Sequence, residues 1–192
     1  MPDYRTIVID NDASRERLKG ICGRLAEVDL RRMIDADGQW TVAAKLAHFA
    51  FWDHQALCSL QAFERASARR GDVAALIART GEWLPAAAVE AWRRVGVDWD
   101  DPLVRGQDRL NDAALPAWLA MAPHVALREA VNSAELLDDT IGRLPTRLVK
   151  LVLASHNAWS LEPWKHRTEH LDEIERALAE SRSRESIRYA HR

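Results

Sequence analysis

Imidazole is the side chain in this sequence best suited to chemistry, and three of its seven histidines fall into one pattern. His166 and His170 stand four residues apart in WKHRTEH (164–170), a spacing that puts both rings on one side of a helix. Their row continues through Ile174 and Leu178, so His170 is expected to face inward and His166 to lie nearer the edge of the apolar stripe. With seven histidines in 192 residues such a pair arises by chance roughly one time in five, so the spacing alone is weak evidence. His48 changes the balance. In WTVAAKLAHFAFWDHQAL (40–57) it shares a helix row with Ala44, Phe51, Trp52 and Gln55, and it is expected among apolar neighbours. A buried polar ring needs partners. One core histidine finds them in a carbonyl or hydroxyl. Three inward histidines on two helices are better satisfied together by a divalent cation, for which imidazole is a good ligand. Three protein ligands leave a coordination position for water or substrate.

The other reactive side chains carry less. Asp53, Glu169 and Glu173 could act as a base or orient the histidines, although helix carboxylates are most often simply solvated. His124 and His156 lack ligand spacing, His54 lies on a different face from His48, and His191 is near the end of the chain. Cys22 and Cys58 sit in apolar helical contexts and read as reduced core thiols rather than nucleophiles or a disulfide.

The histidines need helices to position them, and the apolar periodicity supplies four. A first helix over about 12–35, capped by Asn11 or Asp12, carries Leu18, Ile21, Cys22, Leu25 and Val28; Gly20 and Gly23 inside it suggest a tight crossing. After the turn ADGQW, Thr41 caps a second helix over about 42–70 that ends at Gly71. A third, over 124–144, carries Leu127, Val131, Ala134, Leu137, Ile141 and Leu144 and stops at Pro145. The last begins near Pro163 and runs to about 181. Short helices are expected near 84–95 and 111–120, inside a Gly/Pro-punctuated stretch (71–123) that holds four of the eight tryptophans, and another within 145–162. Tyr4 to Asp10 is the one segment with strand character. The expectation is an all-α four-helix bundle with an elaborated crossover between its second and third helices: one domain over 1–182 and a frayed, solvated tail over 183–192.

Composition narrows the class. A chain of 192 residues, 47% hydrophobic and with formal net charge -2, can bury one substantial core and offers no basic footprint for nucleic acid. The stretch MPDYRTIVIDNDASRER lacks a basic region followed by an apolar run, and no window of about 18 apolar residues is present. A cytoplasmic protein with no membrane partner is expected, and an outer helix face of such a bundle could pair two copies as a homodimer.

The segment from Trp40-Thr41 through Leu46-Ala47-His48 to Trp52-Asp53, taken with His166-Arg167-Thr168-Glu169-His170-Leu171, resembles the DinB/YfiT-like superfamily, which includes the N-terminal domain of mycothiol-dependent maleylpyruvate isomerase. The resemblance covers most of the chain as architecture and these two segments as motifs. It implies that His48, His166 and His170 hold one divalent metal ion, zinc or nickel. It also implies a thiol-dependent transferase or isomerase, which would activate mycothiol, bacillithiol or a related low-molecular-weight thiol for attack on a small electrophilic substrate. Phe51, Trp52 and Gln55 would line the pocket beside the metal. A metal-dependent hydrolase that activates water, and a non-catalytic metal-binding stress-response protein, are the other two readings. The long Trp-rich insert departs from the compact family pattern.

Overall fold

The structure is a computed structural model that describes residues 3–34, 38–69, 71–78, 107–154 and 158–190. Among these residues it is all-helical, and the only strand-like pairing is an isolated antiparallel bridge between Met33 and Thr41.

Helix α1 spans Tyr4–Cys22. Tyr4 to Asp10, the segment with some strand character, is helix, because the Asp3 carboxylate accepts the Arg5 N–H and Ile7 opens a buried row through Asn11, Ser14, Leu18 and Ile21. The helix starts earlier and stops earlier than its periodicity predicts: Gly23 caps it, and a short helix α2, Glu27–Leu30, follows. Gly20 marks no tight crossing, since a Cβ there would meet nothing within 4 Å. At Gly23 a Cβ would stand 3.3 Å from the Lys19 carbonyl, and this crowding is where a glycine helps. Gly38, at φ 67°, turns the chain back, so that Ile34 and Val42 donate backbone hydrogen bonds to Trp40 and Arg32.

Helix α3 spans Val42–Ala68, with the Thr41 hydroxyl accepting the Ala44 N–H at 3.0 Å. Helices α4 (Val73–Ala78) and α5 (Gln107–Ala120) follow; the short helix expected near 84–95 lies outside the described residues. Helix α6 spans Pro123–Arg143 and α7 spans Thr146–Leu153, divided as expected at Leu144-Pro145. A 3-10 turn, Ala158–Leu161, leads into α8, Pro163–Ala190. The backbone of α8 stays helical through most of the segment expected to be a frayed tail.

Helix α3 packs most extensively against α6 and also meets α5 and α8, while α1 packs against α6 and α8. The core has two apolar parts. One gathers Leu18, Leu46, Phe49, Ala130, Leu171 and Ile174; the other gathers Ile7, Leu60, Phe63, Leu137, Ile141 and Leu161. Each long helix also carries buried polar residues near the junction of the two parts: Asn11 and Ser14 on α1, Asp53 on α3, Asp138 on α6 and Arg167 on α8. Asn11, expected to cap the first helix, is buried within it and braces α8 instead: its amide donates to the Leu161 carbonyl at 2.9 Å and accepts the Trp164 N–H at 3.3 Å. No described helix is long and apolar enough to cross a membrane.

Candidate metal centre

The buried stripe of α8 runs through Arg167, Leu171, Ile174 and Leu178, and it holds the helix against α1 and α3. His166 and His170 flank that stripe, both half-buried, and lean toward His48, which is 2% exposed on α3. Three ring nitrogens, one from each histidine, lie within 4.8 Å of one another, and among the described residues this group could hold a metal ion. The closest pair is His48 Nε2 and His166 Nε2, 2.8 Å apart.

Aromatic rings surround His48. Trp40 and Trp118 meet it nearly edge to face, with ring centroids 5.5 and 5.0 Å away, and Phe49 stacks on His170 at 5.8 Å. These walls remove water, and charged imidazole is disfavoured accordingly. Burial, then the neighbouring His166, His170 and Lys45, pushes His48 down to about 2. Burial, then His170 and Lys45, pushes His166 down to about 3. His170 is lowered as well, by burial and Lys45, against a hydrogen bond with Glu173 that works the other way. All three rings are neutral at neutral pH, the state in which imidazole binds a cation.

The donor set also fits a cation on hydrogen-bonding grounds. Two neutral rings whose Nε2 atoms face each other at 2.8 Å can share only one hydrogen bond, and the buried Nδ1 of His48 has no hydrogen-bond partner. Leaving such an atom unsatisfied costs about 1–3 kcal/mol. An arrangement this incomplete is unusual for a core built only for stability. His170 is held differently: its Nδ1 is 2.8 Å from Glu173 Oε2, which in turn lies 3.2 Å from Lys45 Nζ.

The histidines border an open cleft of about 470 Å³. Trp52 and Trp159 form one wall, with ring centroids 6.3 Å apart, and the Trp52 indole N–H donates to Asn111 Oδ1 at 3.1 Å. Glu162, Lys165 and Glu169 stand along the rim, the first two joined at 2.7 Å. Of the three residues expected to line the pocket, Trp52 borders this cleft. Phe51 packs against Trp52 and Trp118, and half-buried Gln55 offers its carbonyl to the Ser59 hydroxyl; neither borders it.

Asp53 borders the cleft but is already engaged. Its Oδ2 accepts from Arg167 Nε and Nη2 at 3.2 and 3.0 Å, while Arg167 Nη1 reaches both oxygens of Asp138 at 3.0 and 2.9 Å. Burial pushes Asp53 up to about 6, restrained by the Arg167 charge and hydrogen bonds. Among the earlier candidates, His124 and His54 are exposed, Cys22 is buried with its thiol pushed by burial up to about 12, and Cys58 is half-buried and free. His156 and His191 lie outside the described residues.

Sequence reasoning missed Arg167, Asp138, Lys45, Asn111 and Trp159. A signal for the first two was present: Arg167 and Asp138 occupy apolar rows of different helices, as does Asp53, with charges of opposite sign. Nothing local marks Asn111 or Trp159. Comparison with known protein families, curated proteins and solved structures gives no match.

Proposed function

We propose that this chain is a metal-dependent enzyme of the DinB/YfiT-like type, in which α1, α3, α6 and α8 form the four-helix bundle and α5 belongs to the crossover. His48, His166 and His170 would hold one zinc or nickel ion, and the reaction would transfer a low-molecular-weight thiol to a small electrophilic substrate. The observation that carries this reading is the convergence of three neutral ring nitrogens within 4.8 Å at the edge of an open cleft. A divalent cation on neutral imidazoles keeps its charge and lowers the pKa of a thiol that reaches it, so that the sulfur is nucleophilic at neutral pH.

The chain's own groups do the rest. The Trp52 and Trp159 wall offers apolar surface to the electrophile, with Asn111 fixing the Trp52 ring, and the rings around His48 keep water from the inner side of the site. Trp52 is then the substrate-facing member of the expected trio. Hydrolysis is the weaker reading, because the buried carboxylate at the cleft, Asp53, is committed to Arg167 and Glu169 is exposed to solvent. A closed structural site is weaker too, since the group has three members among the described residues and His124 is exposed elsewhere on α6.

Elemental analysis of the purified, untagged protein beside His48→Ala and His170→Ala is the test. About one equivalent of metal in the parent, lost in both variants, is expected, followed by metal-dependent conjugation of a small thiol to an aryl or alkyl halide, in which the C–S bond forms as the C–halogen bond breaks, halide leaves and the thiol proton goes to solvent. A parent that carries no metal and takes up none on addition ends the metalloenzyme reading.

A further inference from the structure

The three histidines differ in what stands behind them. His48 has an Nδ1 without a hydrogen-bond partner, and its ring lies between those of Trp40 and Trp118, with centroids 5.5 and 5.0 Å away. Behind His170 is a chain of two charges. Its Nδ1 lies 2.8 Å from Glu173 Oε2, one turn further along α8, and the same oxygen is 3.2 Å from Lys45 Nζ on α3. Lys45 is 8% exposed, and its ammonium also lies 4.2 Å from the centre of the Trp40 ring. A lysine buried to this degree is rare unless it is paired, and here the carboxylate and the ring face together hold it in place.

A carboxylate oxygen already facing an ammonium accepts and does not donate. The atom shared between Glu173 and His170 is therefore a proton on the ring nitrogen, Nδ1–H, and the ring's lone pair is left on Nε2, in a ring whose centroid lies 5.1 Å from that of His48 and 4.7 Å from that of His166. We propose that Glu173, held by Lys45, is a positioning residue that fixes the tautomer and ring orientation of His170 and so makes it the pre-set member of the three-histidine group. His48 and His166, whose Nε2 atoms face each other, must then reorganise their shared proton before both can bind a cation. The inference rests on the metal reading for its consequence, but the tautomer itself is a property of the metal-free protein.

The experiment uses metal-free, ¹⁵N-labelled full-length protein and reads the ring nitrogens of His170 through their long-range couplings to the ring protons, assigned by loss of those signals in His170→Ala. Zinc affinity is measured in parallel by competition with a chelator. In the parent, His170 is expected as the Nδ1–H tautomer. Glu173→Ala and Lys45→Met are expected to mix the tautomers and weaken zinc binding, by about 10–100-fold for Glu173→Ala and less for Lys45→Met. Glu173→Gln, which can still accept through its carbonyl, is expected to restore much of both. The proposal is overturned if the parent shows the Nε2–H tautomer, or if Glu173→Ala, folded by its amide spectrum, keeps both the parent tautomer and the parent zinc affinity. A parent that binds no zinc defeats the metal reading of the site, and the ring-nitrogen signals then decide the positioning role by themselves.

Discussion

Two buried polar clusters begin one residue apart on α8, at His166 and Arg167, and they are completed in opposite ways. Arg167 is fully buried, yet every partner it needs is present: Asp53 from α3 takes two of its N–H groups, Asp138 from α6 takes another, and Arg15 from α1 approaches Asp138 at 3.5 Å. The histidine cluster has three neutral rings, one shared Nε2 contact and an unpartnered Nδ1. The first cluster is closed within the chain and joins four helices, α1, α3, α6 and α8. The second is left with an unpartnered ring nitrogen among the described residues, and it opens onto a cleft. Burial alone does not separate scaffold from site; the degree of polar satisfaction does.

The comparison breaks most visibly at Arg167. Arg167→Met leaves Asp53 buried without its counter-ion and Asp138 with Arg15 at 3.5 Å as its remaining one, and is expected to cost about 3–5 kcal/mol in urea unfolding, whereas replacing all three residues by apolar ones of similar volume should return most of that stability. If the single variant is as stable as the parent, the network is not the scaffold described above.

The histidine cluster should respond to pH instead. Burial holds His48 and His166 down to about 2 and about 3 in the folded chain, below the ordinary 6.5, so each takes up a proton on unfolding between that lower value and about 6.5. The contribution of these two rings to metal-free stability is therefore full above about pH 6.5 and falls as the solution is acidified toward pH 3, with a slope on the order of 1 kcal/mol per pH unit per histidine, while Asp53, raised to about 6, works the other way below that pH. His48→Leu removes one of the two rings and the unpartnered nitrogen with it. Its unfolding midpoint should fall less steeply between pH 6.5 and 5, without the loss expected at Arg167. Equal slopes in parent and variant would mean that His48 is solvated.

The smallest effect is expected at the surface. Arg17 contacts Asp172 and Glu175 at 2.6 Å each, the same chemistry as Arg167, but with side chains 32–52% exposed. Arg17→Ala should cost no more than about 1 kcal/mol and lose most of that difference in high salt. A cost matching that of Arg167→Met would undo the claim that burial sets the difference between the two arginines.

Legibility in the sequence followed the range of the interaction. Thr41, Pro145 and Pro163 marked helix ends because capping and the missing proline N–H act within one turn. The three histidines were singled out because four-residue spacing and an apolar row are local patterns, and the structure gathers them. Tyr4 to Asp10 carries some strand character because Ile7-Val8-Ile9 is β-branched, while the row that buries Ile7 with Asn11 and Ser14 becomes decisive only once α6 and α8 stand against it. Asn11 shows the same limit: its residue type marked a cap, but the helix it braces lies about 150 residues further on.

The sequence by itself determined the all-helical character of the described residues, most of the long-helix boundaries and which histidines face the interior side of their helices. These depend on backbone geometry and apolar periodicity, which each segment carries alone. Only the tertiary structure decided that His48 meets His166 across 118 residues, that Arg167 finds Asp53 and Asp138, and that Glu173 and Lys45 stand behind His170. A residue's row is written in its own helix. Its partner depends on which helices pack together and in what register, and that is set by the whole core at once.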